Sequence, residues 1–443
     1  MILNAANIAH THPTALLQQL LRFDTTNPPG NEKACIDFIA DTMTKYEIDV
    51  TLYAKDPHRP NLVARLQGSG NASPLLLYGH VDVVTTSNQR WSHAPFSGKL
   101  VDGWIWGRGA LDMKGGIAMM LTAFLRAKAN NVDLPGDIIF LALADEEAGG
   151  HYGARFMVRE HPEVFDGVRY AIGEFGGFSL DQGGSRFYPI MISEKVVASL
   201  RLTIRGPGGH GSLPMRGGTM ANVSKVLQRL DQQRLPAHLT SGTAAMLRGM
   251  ASGLEEDDGR NLQLLLTEST IDSTLDAMGH SGRIYDALLH NTATATVIRG
   301  GDKFNVVPSE VTIDIDGRLL PGFHPKDLVK ELALLLGDMA EIEILTHDPP
   351  GPDKPNMGLF PSMVEILNEV DPTGIPIPLV MYGATDGRFL NQLGVQTYGF
   401  LPMNFPTNFD FSHLLHAADE RIPAASLDFG SEALFRLLTK DRD

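Results

Sequence analysis

At 443 residues, with 43% hydrophobic and 20% charged residues, the chain is too long for one hydrophobic core and has the balance of a folded globular protein, which excludes a disordered chain. A formal net charge of -15, with no lysine or arginine stripe to offset it, excludes nucleic acid as a partner. No apolar run approaches the roughly 18 residues of a membrane span, and the opening MILNAANIAHTHP lacks a basic segment followed by an apolar one, so a cytoplasmic protein with no membrane partner is expected.

From Pro13 to Tyr46 the pattern predicts a helix, a turn at Thr25-Thr26-Asn27-Pro28-Pro29-Gly30, and a second helix from about Asn31. Cys35, the single cysteine, cannot form an internal disulfide and reads as a core residue. Four short apolar runs then end in polar or acidic residues: Leu75 to Tyr78 before His80, Ile138 to Ala144 before Asp145, Tyr170 to Ile172 before Glu174, and Leu379 to Tyr382 before Thr385. Continuous runs of this length suit strands buried on both faces, and Ile117, Met120, Leu121, Phe124 and Leu125 fall at helical spacing between the first two. The pattern is α/β with a mixed, largely parallel sheet, whose ligands bind beyond the carboxyl ends of the strands.

After Val196 the periodicity changes to two, with Val196, Ala198, Leu200, Leu202 and Ile204 on one face, and it returns at Val311, Ile313 and Ile315. With helices at Met220 to Leu230 and Pro325 to Leu336, this predicts an α+β domain, an antiparallel sheet carrying two helices, inserted into the first. The expected organisation is one domain in two parts, 1–195 and 350–443, around an inserted domain, 196–349. Residues 235–291 exceed what such a module requires and read as partly helical.

Four places carry candidate chemistry. His80-Val81-Asp82 closes a strand, and its spacing lets Asp82 hydrogen-bond the imidazole and fix its ligating tautomer. The loop Gly107 to Gly116 carries Asp112, which either bridges two metal ions or caps the following helix. Asp145-Glu146-Glu147 sets three carboxylates at one strand end, where a cation can satisfy one glutamate and leave its neighbour to take a proton from water; the alternative is a solvated acidic turn. Glu174 and His416 are unremarkable alone. Together, His80, Asp112, Glu147, Glu174 and His416 form an oxygen-rich set with two imidazoles, suited to zinc or a related divalent ion.

On Gly79-His80-Val81-Asp82-Val83-Val84, Trp91-Ser92-His93-Ala94-Pro95-Phe96, the Gly107 to Gly116 loop and Asp145-Glu146-Glu147, the chain resembles the dinuclear zinc metallopeptidase and deacylase family, M20-type. The resemblance implies that His80, Asp112 and Glu174 hold one metal and that Asp112, Glu147 and His416 hold the second. The metals it implies are two zinc ions, with cobalt or manganese as alternatives. It implies further that Asp82 orients His80, that Glu146 is the general base, and that the peptide bond after Asp112 is cis. Gly206-Pro207-Gly208-Gly209-His210-Gly211-Ser212 looks like the family's lid motif, in which His210 stabilises the oxyanion. By the same resemblance Asn305, Arg318, Thr385 and Arg388 position the substrate, the two arginines being candidates for its carboxylate or else structural ion pairs. Asp419 stands where the family usually has Asn, which adds negative charge near the site.

The function so implied is hydrolysis of an amide or peptide bond beside a free carboxylate, in a small N-acyl amino acid or at a peptide C-terminus, by a homodimer. A dipeptidase of the same family, or a silent binding protein that keeps the fold, are the alternatives.

Overall fold

A computed structural model describes residues 8–213, 215–407 and 409–442; the opening residues 1–7, read above for a leader, lie outside this range. The chain divides into two compact units: residues 1–192, 356–379 and 385–443 form the first, and residues 193–355 with 380–384 form the second.

The first unit is built on a mixed nine-stranded sheet. At its centre four neighbouring strands run parallel, in the order Ile138–Leu143, Leu75–His80, Tyr170–Gly173, Gln396–Gly399. Antiparallel strands flank them, Asn61–Leu66 on one side and Ser185–Glu194 on the other. The α/β class expected from the apolar runs is the class observed.

Every residue of Leu75–His80 and of Ile138–Leu143 is buried, because alternate side chains enter two different cores. Leu75, Leu77, Ile138, Phe140 and Ala142 pack with Leu16, Ile117 and Leu434, which come from the helices Pro13–Leu20, Lys114–Ala129 and Ala424–Thr439. Leu76, Tyr78, Ile139, Leu141 and Leu143 pack on the opposite face with Met157 and Phe389. A strand covered on both faces has no wet side and so reads as a continuous apolar run. Gly79 is required by the helix above it: a side chain there would come within 2.3 Å of the Met113 methyl.

In the second unit Thr292–Arg299, Glu310–Leu319, Val196–Arg205 and Glu341–His347 form a four-stranded antiparallel sheet in that order. Its inward residues, Leu200 opposite Ile315 and Leu202 opposite Ile313, join Val223 and Val226 of the helix Thr219–Gln232 and Leu328 and Leu332 of Pro325–Leu336. The segment read as partly helical contains four helices, Ser241–Ser252, Glu256–Leu264, Ile271–Met278 and Arg283–Leu289. Lys195 ties its end to the sheet, the ammonium donating to the carbonyls of Ala287 and His290 at 2.8 Å each. Among the described residues no helix is long and apolar enough to cross a membrane.

Cys35 lies in the helix Lys33–Thr44 with no exposure, and burial pushes its thiol from 9.0 up to about 11. Folding therefore favours the protonated form: that stabilisation is complete below pH 9.0 and is lost as the pH climbs through about 11. At about pH 8 a thiol-reactive disulfide reagent is expected to label Cys35 only after denaturant is added. Rapid labelling of the native protein would place the thiol at the surface instead.

Candidate active site

The parallel strands decide where the chemistry gathers. Leu75–His80, Ile138–Leu143 and Tyr170–Gly173 point the same way, so His80, the turn Asp145-Glu146-Glu147 and Glu174 emerge along one edge. Asp145 takes a left-handed backbone, with φ 69°, and folds Glu146 and Glu147 back over that edge in a short 3-10 turn. Asp112 arrives from the glycine loop just before the helix Lys114–Ala129, with the Asp112–Met113 peptide bond cis, and His416 comes from the loop after Gln396–Gly399.

All five expected ligands meet. His80 Nε2 lies 3.2 Å from Asp112 Oδ1 and 3.4 Å from Glu174 Oε2. His416 Nε2 lies 3.2 Å from Asp112 Oδ2 and 3.4 Å from Glu147 Oε2. Two trios thus share Asp112, one carboxylate oxygen to each. Donors bound at about 2.0–2.2 Å to a tetrahedral zinc stand roughly 3.3 Å from one another, which is the spacing of these pairs. Distance alone also allows two other groupings, His80 with Glu146 and Glu174 and His80 with Asp112 and Glu147, their donor atoms within 4.8 Å of one another in each.

Electrostatics point the same way. Burial and the charge of Glu174 hold the Glu146 carboxyl well above its ordinary range, and burial raises Glu174. Hydrogen bonds to Asp112 and Glu147 push the His416 imidazole up to about 10, and contacts with Asp112, Asp82 and Glu174 outweigh burial to raise His80. Glu147 Oε1 is buried with no hydrogen-bond partner among the described residues. Carboxylates packed this closely repel one another unless cations sit between them, so the donor set fits two divalent ions.

The bland alternatives fail locally. Asp112 does not cap the following helix, whose N-cap is Met113 with no side-chain hydrogen bond. Asp145-Glu146-Glu147 is no solvated turn: Asp145 is 2% exposed, and its carboxylate accepts from Asn27 Nδ2 and the Tyr152 N–H.

One expected contact is made by different atoms. His80 Nδ1 bonds the main-chain carbonyl of Asp82 at 3.0 Å, while the Asp82 carboxylate stands 3.5 Å away. That carboxylate accepts instead from the N–H groups of Glu146 and Glu147 and from Asn27 Nδ2, so Asp82 braces the acidic turn as well as the imidazole. A neighbouring N–H donor outcompetes an imidazole that already has a carbonyl at hand.

Several supporting residues carry no role that the sequence assigns to them. Glu420 accepts from the backbone N–H of Gly109, Leu111 and Asp112 and from Arg108 Nη1, which moors the loop that carries Asp112. Arg59 is buried between Glu32 and Asp145, at 2.6 and 3.0 Å, and neutralises part of the charge behind the site. Asn27 was read only as part of a helix stop, yet it bridges Asp82 and Asp145. A buried asparagine or arginine carries no spacing signal, so only the acidic residues around it could have pointed to it. Asp419 accepts from the Ser92 N–H and hydroxyl at 2.6 and 2.7 Å, so its extra charge is bound to the Trp91-Ser92-His93 loop.

The expected substrate residues fall in both units. Thr385 is buried, its hydroxyl accepting from the Gly387 N–H. Arg388 is 7% exposed, donates to the Thr385 carbonyl and stands 3.7 Å from Glu146 Oε1, beside the expected base. His210, Asn305 and Arg318 belong to the second unit. There His210 is exposed with Nδ1 2.6 Å from the Ser212 hydroxyl, the Asn305 carbonyl accepts from Gly211, and Arg318 forms a two-point ion pair with Asp316.

Glu420→Ala should weaken zinc binding about 10–100-fold by releasing the Asp112 loop, and Glu420→Gln, which keeps a carbonyl acceptor, should weaken it less. Chelator competition measures both, with circular dichroism to confirm folding. Unchanged affinity in folded Glu420→Ala would show that the loop holds its shape without this carboxylate.

The chain is similar to known proteins over most of its length. The family model described as Peptidase family M20/M25/M40 matches residues 76–440. Aminoacylase-1 of Sus scrofa is 26% identical over 448 residues, spanning 97% of this chain and 95% of that protein. A succinyl-diaminopimelate desuccinylase of Methylorubrum extorquens is 34% identical over 242 residues, 52% of this chain and 59% of that protein. Among solved structures, an M20 family metallo-carboxypeptidase from Sulfolobus solfataricus shares the fold, with a TM-score of 0.70 at 18% identity and coverage of 96% and 98%. A converging set of carboxylates and imidazoles, on a fold and sequence pattern shared over most of the chain, leads to one conclusion: the protein is a hydrolase belonging to peptidase family M20/M25/M40.

Proposed function

We propose that the chain hydrolyses an amide or peptide bond beside a free carboxylate, in an N-acyl amino acid or at the C-terminus of a short peptide. The observation that carries this reading is the pair of trios sharing Asp112, with Glu146 beside them and not needed to complete either. His80, Asp112 and Glu174 would hold one divalent ion and Asp112, Glu147 and His416 the other, zinc being the first choice on donor chemistry. When bound, such a pair supplies Lewis acidity to the amide carbonyl and brings a water toward ionisation near neutral pH.

The chain's own groups do the rest. Glu146 takes a proton from the attacking water and passes it to the departing nitrogen, a role suited to a carboxyl whose proton affinity is raised by burial and by Glu174. Arg388 stands on the Glu146 side of the site, so the amine half of the substrate, with its carboxylate, is assigned there. His210, from the second unit, is the proposed donor to the oxyanion.

Glu146→Gln should lower kcat by about 10²–10⁴-fold while leaving two metal equivalents per chain, checked by turnover of N-acetyl amino acids together with metal analysis. Turnover at the parent rate would remove Glu146 from the base role. Arg388→Lys should cut kcat/KM at least about tenfold for substrates with a free carboxylate and much less for their amides. Equal losses on both would place the carboxylate elsewhere.

A further inference from the structure

Beside the ligands, within the first unit, lies a cavity of about 40 Å³ whose walls include Phe175, Phe178, Met403, Phe405 and Phe411. Phe411 is only partly buried and packs on Phe178 with ring centroids 4.2 Å apart and on Phe405 at 5.6 Å. Among the described residues, the ionisable ones that line the cavity are Asp112 and Glu174, both assigned to metal in the proposed function, and none is a lysine, arginine or histidine.

Resting on the hydrolase reading above, we propose that this slot receives the substituent on the acyl side of the scissile bond, and that it selects a neutral, apolar group of a few carbon atoms.

Two features give the slot its side and its preference. Glu146 must reach the departing nitrogen to protonate it, so the amine half lies by Glu146 and Arg388. Neither residue lines the slot, whose walls include Asp112 and Glu174 instead, and this leaves it to the other half of the substrate. Its aromatic walls favour CH₂ and CH₃ groups, whereas a second carboxylate, as in a succinyl or glutamyl group, would lose its water against those rings with no lysine, arginine or histidine among the described lining residues to pair with it. The volume is a few water-sized probes, roughly three by the usual 10–15 Å³ per sphere, enough for a short alkyl chain or a small apolar side chain. An N-acyl amino acid with a short aliphatic acyl group, or a peptide with an apolar penultimate residue, presents the same chemistry here.

The test compares kcat/KM for N-formyl, N-acetyl, N-butyryl, N-hexanoyl and N-succinyl derivatives of one amino acid, and for dipeptides with alanine, leucine or glutamate first. The enzymes are the parent, Phe411→Ala and Phe411→Trp. In the parent, butyryl should exceed succinyl at least about tenfold. Enlarging the slot with Phe411→Ala should move the optimum to longer chains, and filling it with Phe411→Trp should move it to shorter ones; opposite shifts cannot come from general damage to the fold. Activity on either the acyl series or the dipeptides identifies which source fills the slot, and both support it.

A second readout needs no turnover. Calorimetric titration of metal-free protein with butyramide, hexanamide and succinamic acid should show tightening of about fourfold per methylene until the slot is full, with succinamic acid weakest. A preference for succinyl, or one chain-length profile shared by all three proteins, would overturn the proposal. If the amides bind in this order while no substrate is cleaved with metal present, the hydrolase reading falls and the slot stands.

Discussion

The structure depends on forcing negative charge together at one edge of a parallel sheet. Asp112 turns one carboxylate oxygen to His80 and the other to His416, while Glu147 and Glu174 stand 3.4 Å from those same imidazoles. Left to themselves such groups would separate into water or take up protons. They stay because the fold gives each a short tether: a strand end for His80, a left-handed turn for Glu147, a strand end for Glu174 and a moored loop for Asp112. On the proposed reading, a cluster that is unfavourable alone would be a binding site for divalent cations, whose charge would offset that repulsion.

The mooring is a layer of buried polar contacts behind the ligands. Glu420 gathers three N–H groups of the loop, those of Gly109, Leu111 and Asp112, together with Arg108; Asp82 gathers the N–H groups of Glu146 and Glu147, and Asn27 joins Asp82 to Asp145. Arg59 sits between Glu32 and Asp145. Removing one member of such a network strands a buried charge, which is far costlier than loss of a surface pair. Positional accuracy at the site is therefore bound up with the stability of the first unit.

The surroundings of the proposed ligands are unequal, and this asymmetry accompanies the proposed function. Glu146 and the guanidinium of Arg388 stand together, equipped for proton transfer and for a carboxylate. The rings of Phe175, Phe178 and Phe411 line a separate cavity, suited to apolar substituents. An amide whose two halves differ in that way, charged toward the nitrogen and apolar toward the carbonyl, matches both.

Much of this was written into the sequence because it depends on local pattern. A strand covered on both faces must be apolar throughout, so Leu75–His80 and Ile138–Leu143 announced themselves, and a half-wet sheet must alternate, as Val196–Arg205 does. Residue types suited to metal, at strand ends and in loops, with the motifs around them, named His80, Asp112, Glu147, Glu174 and His416 as candidates. Tertiary structure alone decided which atoms meet: that Asp112 divides its two oxygens, that the Asp82 carboxylate braces the acidic turn while its carbonyl holds His80, that Arg388 is buried against Glu146, and that apolar residues scattered from 111 to 415 close around one cavity. Periodicity and spacing report what a residue does along its own segment. Contacts between segments far apart in the chain are set by packing, which leaves no periodic trace in the order of the amino acids.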